Sequence, residues 1–159
     1  MKVSESWDRK YLELAKYIAT NWSKDPSTKV GAILVNYDVG REFIGYNGFP
    51  SGVEDNEERL NNRELKYKLV THAEVNAILK AGPLAKGATM YVYPSFSFPP
   101  ICNECAKIAI QAGIKEIVGY IPDPNDPRVK RWEESISISK MMFEEAGITW
   151  RKLEEHGKN

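Results

Sequence analysis

The chain has 159 residues, with 22 Lys+Arg against 22 Asp+Glu, two histidines and two cysteines. That length suits one domain, spanning 1–159, and a chain 42% hydrophobic and 28% charged reads as globular rather than disordered. A formal charge of zero leaves no basic footprint for a nucleic-acid partner, and no apolar run reaches the ~20 residues of a membrane helix. Met1-Lys2-Val3-Ser4-Glu5-Ser6 lacks a leader's apolar core, so the expectation is a cytoplasmic protein.

Tyr11, Leu12, Ala15, Ile18, Ala19 and Trp22 recur at helical spacing and predict an amphipathic helix over 8–22. Asp25-Pro26-Ser27-Thr28 breaks it. The β-rich runs 30–35 and 42–46, joined through a turn-rich stretch, predict a hairpin, and the Gly- and Pro-rich segment 45–52 predicts a loop. Residues 56–68 form a polar, mixed-charge helix that reads as solvated surface, with an oligomer contact or an effector site as the alternative. A helix over Ala73–Ala81 stops at Gly82-Pro83, followed by a strand over Thr89–Tyr93. A helix over 102–112 ends at Gly113, and Glu116–Tyr120 is a strand. The Pro-rich loop 122–127, a long helix over 129–146 and a short strand over 148–151 complete the chain. Helix, hairpin and then alternating helices and strands predict an α/β fold. The expected form is a three-layer α/β/α sandwich around a central mixed five-stranded sheet.

Cys102-Asn103-Glu104-Cys105 is the first feature with chemistry. Two thiols so spaced suit a redox dithiol, half a zinc site, or nothing at all, and the chain has no other cysteine to complete a closed structural site. His156 stands in a polar tail and reads as a solvated residue. His72-Ala73-Glu74, taken alone, is equally a helix start with an acidic first turn. Together the two motifs carry more. His72, Cys102 and Cys105 supply three protein ligands and leave a fourth tetrahedral position open, as in a catalytic zinc, with Glu74 as a nearby carboxylate. His-x-Glu followed by Cys-x-x-Cys is the signature of zinc nucleobase deaminases.

On these residues the chain resembles the deoxycytidylate (dCMP) deaminases of the cytidine deaminase superfamily, phage-like members included. The resemblance runs over Lys29-Val30-Gly31-Ala32, Gly45-Tyr46-Asn47-Gly48-Phe49-Pro50, His72-Ala73-Glu74-Val75-Asn76-Ala77-Ile78, Met90-Tyr91-Val92, Cys102-Asn103-Glu104-Cys105-Ala106-Lys107 and Gln111-Ala112-Gly113-Ile114-Lys115-Glu116-Ile117. The Gly-Tyr-Asn-Gly loop narrows it to the dCMP branch. It implies hydrolysis of dCMP to dUMP and ammonia, one Zn²⁺ per chain, and Glu74 as the proton shuttle. It also implies substrate contacts from Asn47 and Ala73, with Ser27, Thr28 and Lys29 as candidates for the 5′-phosphate. Gly45, Tyr46 and Gly48 would lie near an effector, with dCTP activating and dTTP inhibiting, in a homohexamer. One departure stands out. The segment 93–101 is longer than the family connection, and Ile101 separates Pro100 from Cys102. This insertion is expected to edge the active site.

Overall fold

The computed structural model describes residues 3–156; the first two residues of the segment read as lacking a leader's apolar core, and the last three of the polar tail, lie outside them. The first helix, α1 (Glu5–Trp22), begins earlier than its apolar stripe because Ser4 caps it, its hydroxyl accepting the Trp7 N–H. Leu12, Ala15, Ile18 and Ala19 form its buried face.

Strands β1 (Gly31–Asn36) and β2 (Arg41–Tyr46) pair antiparallel, and β1 pairs antiparallel with β3 (Thr89–Tyr93) on its other side. Strands β4 (Glu116–Tyr120) and β5 (Thr149–Leu153) then add in parallel, giving the order β2-β1-β3-β4-β5. The mixed five-stranded sheet is as expected. Every residue of β1 is buried, which explains its continuous apolar run. Side chains alternate between two cores. Ala32, Leu34, Met90, Val92 and Ile117 face one, while Ile33, Val35, Tyr91, Val118 and Tyr120 face the other with α1.

The 56–68 segment is not one helix. Asn62 leaves helical geometry, separating α2 (Glu57–Asn61) from α3 (Arg63–Leu69). Its backbone N–H closes the first by bonding to the Glu58 carbonyl, and its side chain caps the second by accepting the Leu65 N–H at 3.2 Å. Helix α4 (Ala73–Ala81) ends at Gly82, and α5 (Asn103–Ala112) ends at Gly113, which takes the left-handed backbone at φ 82°. Helix α6 (Pro127–Ala146) starts ahead of its apolar pattern because Asp126 caps it and Pro127 fits the first turn. Helices α4, α5 and α6 share the core opposite α1, so the three layers are present.

One glycine sets the position of the site. At Gly45 a Cβ would lie 2.1 Å from the Ala73 carbonyl oxygen and 2.6 Å from the Ala77 nitrogen. Only a bare backbone lets the first turn of α4 rest on β2. Gly45, expected near an effector, is buried under α4 and serves that packing.

Candidate active site

Strands β2 and β3 end at the same edge of the sheet, where both meet the start of β1 through Gly31. Beyond β2, Gly48 and Thr71 exchange backbone hydrogen bonds of 3.1 and 2.7 Å, which fixes the entry to α4. His72 is the residue preceding that helix, and Glu74 sits in its first turn. Thr71 therefore bridges to Gly48. Beyond β3, the segment 94–101 leads into α5, with Cys102 just before it and Cys105 in its first turn.

The two helix starts bring four groups together. The ligating atoms of His72, Glu74, Cys102 and Cys105 all lie within 4.8 Å of one another. His72 Nδ1 stands 3.1 Å from the Cys105 sulfur and 3.5 Å from that of Cys102. Hydrogen bonding from Cys105 holds the Cys102 thiol low, at about 4, with His72 adding to the effect. Cys105 is pushed up as the proton-bearing member of the pair. The Cys102 contact raises His72 to about 9 against the opposing pull of burial. Burial pushes the Glu74 carboxyl up, and the Cys102 thiolate adds to it. Two sulfurs and one imidazole are a soft donor set suited to zinc, and a cation there would displace the shared protons. The residues fit that metal.

Of these four, His72, Glu74 and Cys102 line a cleft with a cavity volume of about 120 Å³. Helix α4 contributes Ala73, and α6 contributes Trp132 and Ile136. Pro94, Phe96, Pro100 and Ile101 come from the insertion, which therefore edges the cleft as expected. The Arg128 guanidinium lies 4.8 Å from the centre of the Phe96 ring.

A family model, the cytidine and deoxycytidylate deaminase zinc-binding region, matches residues 5–121. The chain belongs to this deaminase family. It is 39% identical to the deoxycytidylate deaminase of Mus musculus, over 92% of this chain and 79% of that one. It is 37% identical to an uncharacterized deaminase in luxG 3'region of Aliivibrio fischeri, over 93% and 95% respectively. The dCMP deaminase of cyanophage S-TIM5, solved in complex with dCMP and dUMP, superposes with a TM-score of 0.69 at 24% identity. That match covers 96% of this chain and all of the phage chain, and shows a shared fold.

Within this deaminase the remaining expected contacts divide. Asn47 reaches the cleft wall, but its amide is committed to the chain. Its Oδ1 accepts from Ser23 Oγ (2.7 Å) and the Val30 N–H (2.9 Å), and its Nδ2 donates to the Thr28 carbonyl (2.8 Å). Ser27 and Thr28 line the cleft. Ser27 Oγ donates to Asp25 (3.1 Å) and accepts from Lys66 (2.7 Å), while Lys29 Nζ is turned onto the Ser23 carbonyl (2.6 Å). The Ser27 hydroxyl and the Lys29 ammonium are thus engaged within the chain, while Thr28 lines the cleft. Asn76 ties α4 to β2 by donating to the Tyr46 carbonyl (2.9 Å). His156 is exposed and does not join the four converging groups.

Sequence reasoning missed Asp25, Lys66 and Trp132. Lys66 belongs to the stretch read as solvated, yet it is only 3% exposed and pairs with Asp25 at 2.9 Å. Burial alone would raise the Asp25 carboxyl, but the Thr28 and Ser27 N–H groups and Lys66 outweigh it and hold it low. An Asp followed by Pro-Ser-Thr is an Asx-turn signal that marks Asp25 in the sequence. Lys66 carries no such signal, because its neighbours Leu65 and Tyr67 are the exposed ones.

Proposed function

We propose that this deaminase, as a single domain over 1–159, hydrolyses dCMP to dUMP and ammonia, supplying dUMP for thymidylate synthesis. The reading rests on a buried carboxylate, Glu74, set against one imidazole and two thiols in an open cleft. The deoxycytidylate deaminases among its relatives support dCMP as the pyrimidine. His72, Cys102 and Cys105 would hold one Zn²⁺ per chain, which when bound would supply the Lewis acidity that activates water near neutral pH.

Glu74 performs the proton transfers. Its carboxylate takes a proton from the attacking water and delivers it to ring N3 as the water oxygen bonds to C4. Glu74 then takes the second proton from that C4 hydroxyl and passes it to the amine, which leaves as ammonia when the C4–N bond breaks and C4=O forms. The overall balance is dCMP plus water giving dUMP plus ammonia. A raised carboxyl suits a group that both accepts and returns a proton. Ala73, buried at the first position of α4, offers a backbone N–H that the helix leaves unpaired, and this suits the base edge.

The regulatory reading attaches to a second hollow of about 130 Å³. Tyr46 and Gly48 line it together with Trp22, Lys24 and Lys66. Its aromatic rings suit a nucleobase, its Lys24 and Lys66 ammonium groups are paired with Asp55 and Asp25 of the same wall, and dCTP as activator with dTTP as inhibitor are the effectors proposed. Asp25, Asn47 and Val70 line both this hollow and the cleft, so a ligand in one abuts the wall of the other. Exposed Tyr17 (58%) and Leu79 (71%) suit burial between subunits, in keeping with a homohexamer. The location proposed is cytoplasmic; among the described residues no helix is long and apolar enough to cross a membrane.

Ammonia release from dCMP, dCTP, CMP and deoxycytidine, each with and without dCTP as effector, tests this reading. The largest kcat/KM is expected for dCMP, with KM lowered by dCTP. A preference for deoxycytidine or dCTP as substrate would replace the substrate assignment.

A further inference from the structure

The Asp25–Lys66 pair is a poor device for stability alone. Lys66 is 3% exposed and Asp25 7%, and taking two charges out of water offsets much of their attraction. Two well-packed apolar side chains of similar volume would hold a fold about as well. What the pair contacts is therefore the better guide to its use.

Its contacts converge on one stretch of the cleft wall. From α3, Lys66 Nζ donates to Asp25 Oδ1 at 2.9 Å and to Ser27 Oγ at 2.7 Å. The same Oδ1 accepts the backbone N–H groups of Ser27 (2.9 Å) and Thr28 (3.1 Å). From beyond β2, Asn47 Nδ2 donates to the Thr28 carbonyl at 2.8 Å. Two buried side chains thus pin Thr28 at both its N–H and its carbonyl. Thr28 itself is half-buried and lines the cleft, and its hydroxyl has no partner among the described residues. The backbone is fixed and the side chain is left for a ligand.

We propose that Asp25 and Lys66 are positioning residues, their ion pair tying the 25–28 turn to α3 so that Thr28 meets the bound nucleotide. Neither belongs to the four groups that converge around Glu74. Their loss should therefore weaken substrate binding and spare the chemical step. The inference rests on the dCMP reading for its substrate and adds the device that sets this wall in place.

The test measures KM and kcat on dCMP, zinc content and melting temperature in the double variant Asp25→Asn/Lys66→Met. Lys66→Met alone leaves a buried carboxylate without its partner and should melt well below wild type. The double variant removes both charges, keeps the apolar stem of the lysine and keeps an Oδ1 to close the turn, so it should melt near wild type. With the tie to α3 gone, its KM should rise roughly 10-fold, the value of one hydrogen bond, with kcat and zinc content unchanged. Thr28→Val should raise KM to a similar degree. Combined with the double variant it should add less than about twofold, because both changes act through one contact. Wild-type KM in the double variant or in Thr28→Val overturns the inference, as do effects that multiply in full when combined. A double variant that fails to fold makes the pair structural and overturns it as well. Should the wild type favour another pyrimidine, the substrate reading alone fails, and the same comparison on that pyrimidine decides the inference.

Discussion

Glu74→Gln is expected to lower kcat on dCMP by ~10²–10⁴ while leaving KM, zinc content and fold in place. The substitution keeps the volume of the side chain and removes its capacity to take and return a proton. Glu74 is 6% exposed, and burial raises its carboxyl, so ionisation at this position works against the folded state. The neutral amide should therefore melt no lower than wild type, and a rise in melting temperature would fit a site that trades stability for function. Steady-state kinetics, elemental analysis and a thermal melt check all three readings. A variant turning over at near wild-type rate would remove Glu74 from the mechanism.

Stripping the metal should have the second large effect. Dialysis against a strong zinc chelator is expected to take turnover to background, and one equivalent of Zn²⁺ per chain should restore it. Without the cation, Cys102, Cys105 and His72 share protons among themselves, and the helix starts that carry them lose a common ligand. Binding to the native state alone stabilises it, so the stripped protein should melt several degrees lower. Elemental analysis of the purified protein should give about one zinc per chain. Two per chain, or full activity after stripping, would contradict a single metal site built from these three residues.

Much of this molecule is legible in the sequence, for physical reasons. The apolar run in β1 marks a strand buried on both faces, and the stripe of α1 marks its buried side. His-x-Glu and Cys-x-x-Cys are readable because each pair sits within one helical turn, where spacing alone brings side chains together. Asn62 escaped notice as a helix break because one asparagine caps two helices at once, and its neighbours are all acceptable in a helix. Lys66 was hidden because a buried ion pair requires Asp25, 41 residues away in the chain, to arrive opposite it. The roles of Gly45 and Trp132 arise only from packing, Gly45 from the approach of α4 to β2 and Trp132 from the docking of α6 over Cys102. No local pattern encodes either.

Isotope labelling during turnover addresses the central claim most directly. Incubation with dCMP in ¹⁸O-water, followed by mass spectrometry and an ammonia assay, should give dUMP carrying one ¹⁸O at C4 with one ammonia per dUMP. The same preparation of Glu74→Gln should yield almost none of either. Absence of dUMP from the wild-type reaction, or label-free dUMP, would contradict hydrolytic deamination at this site.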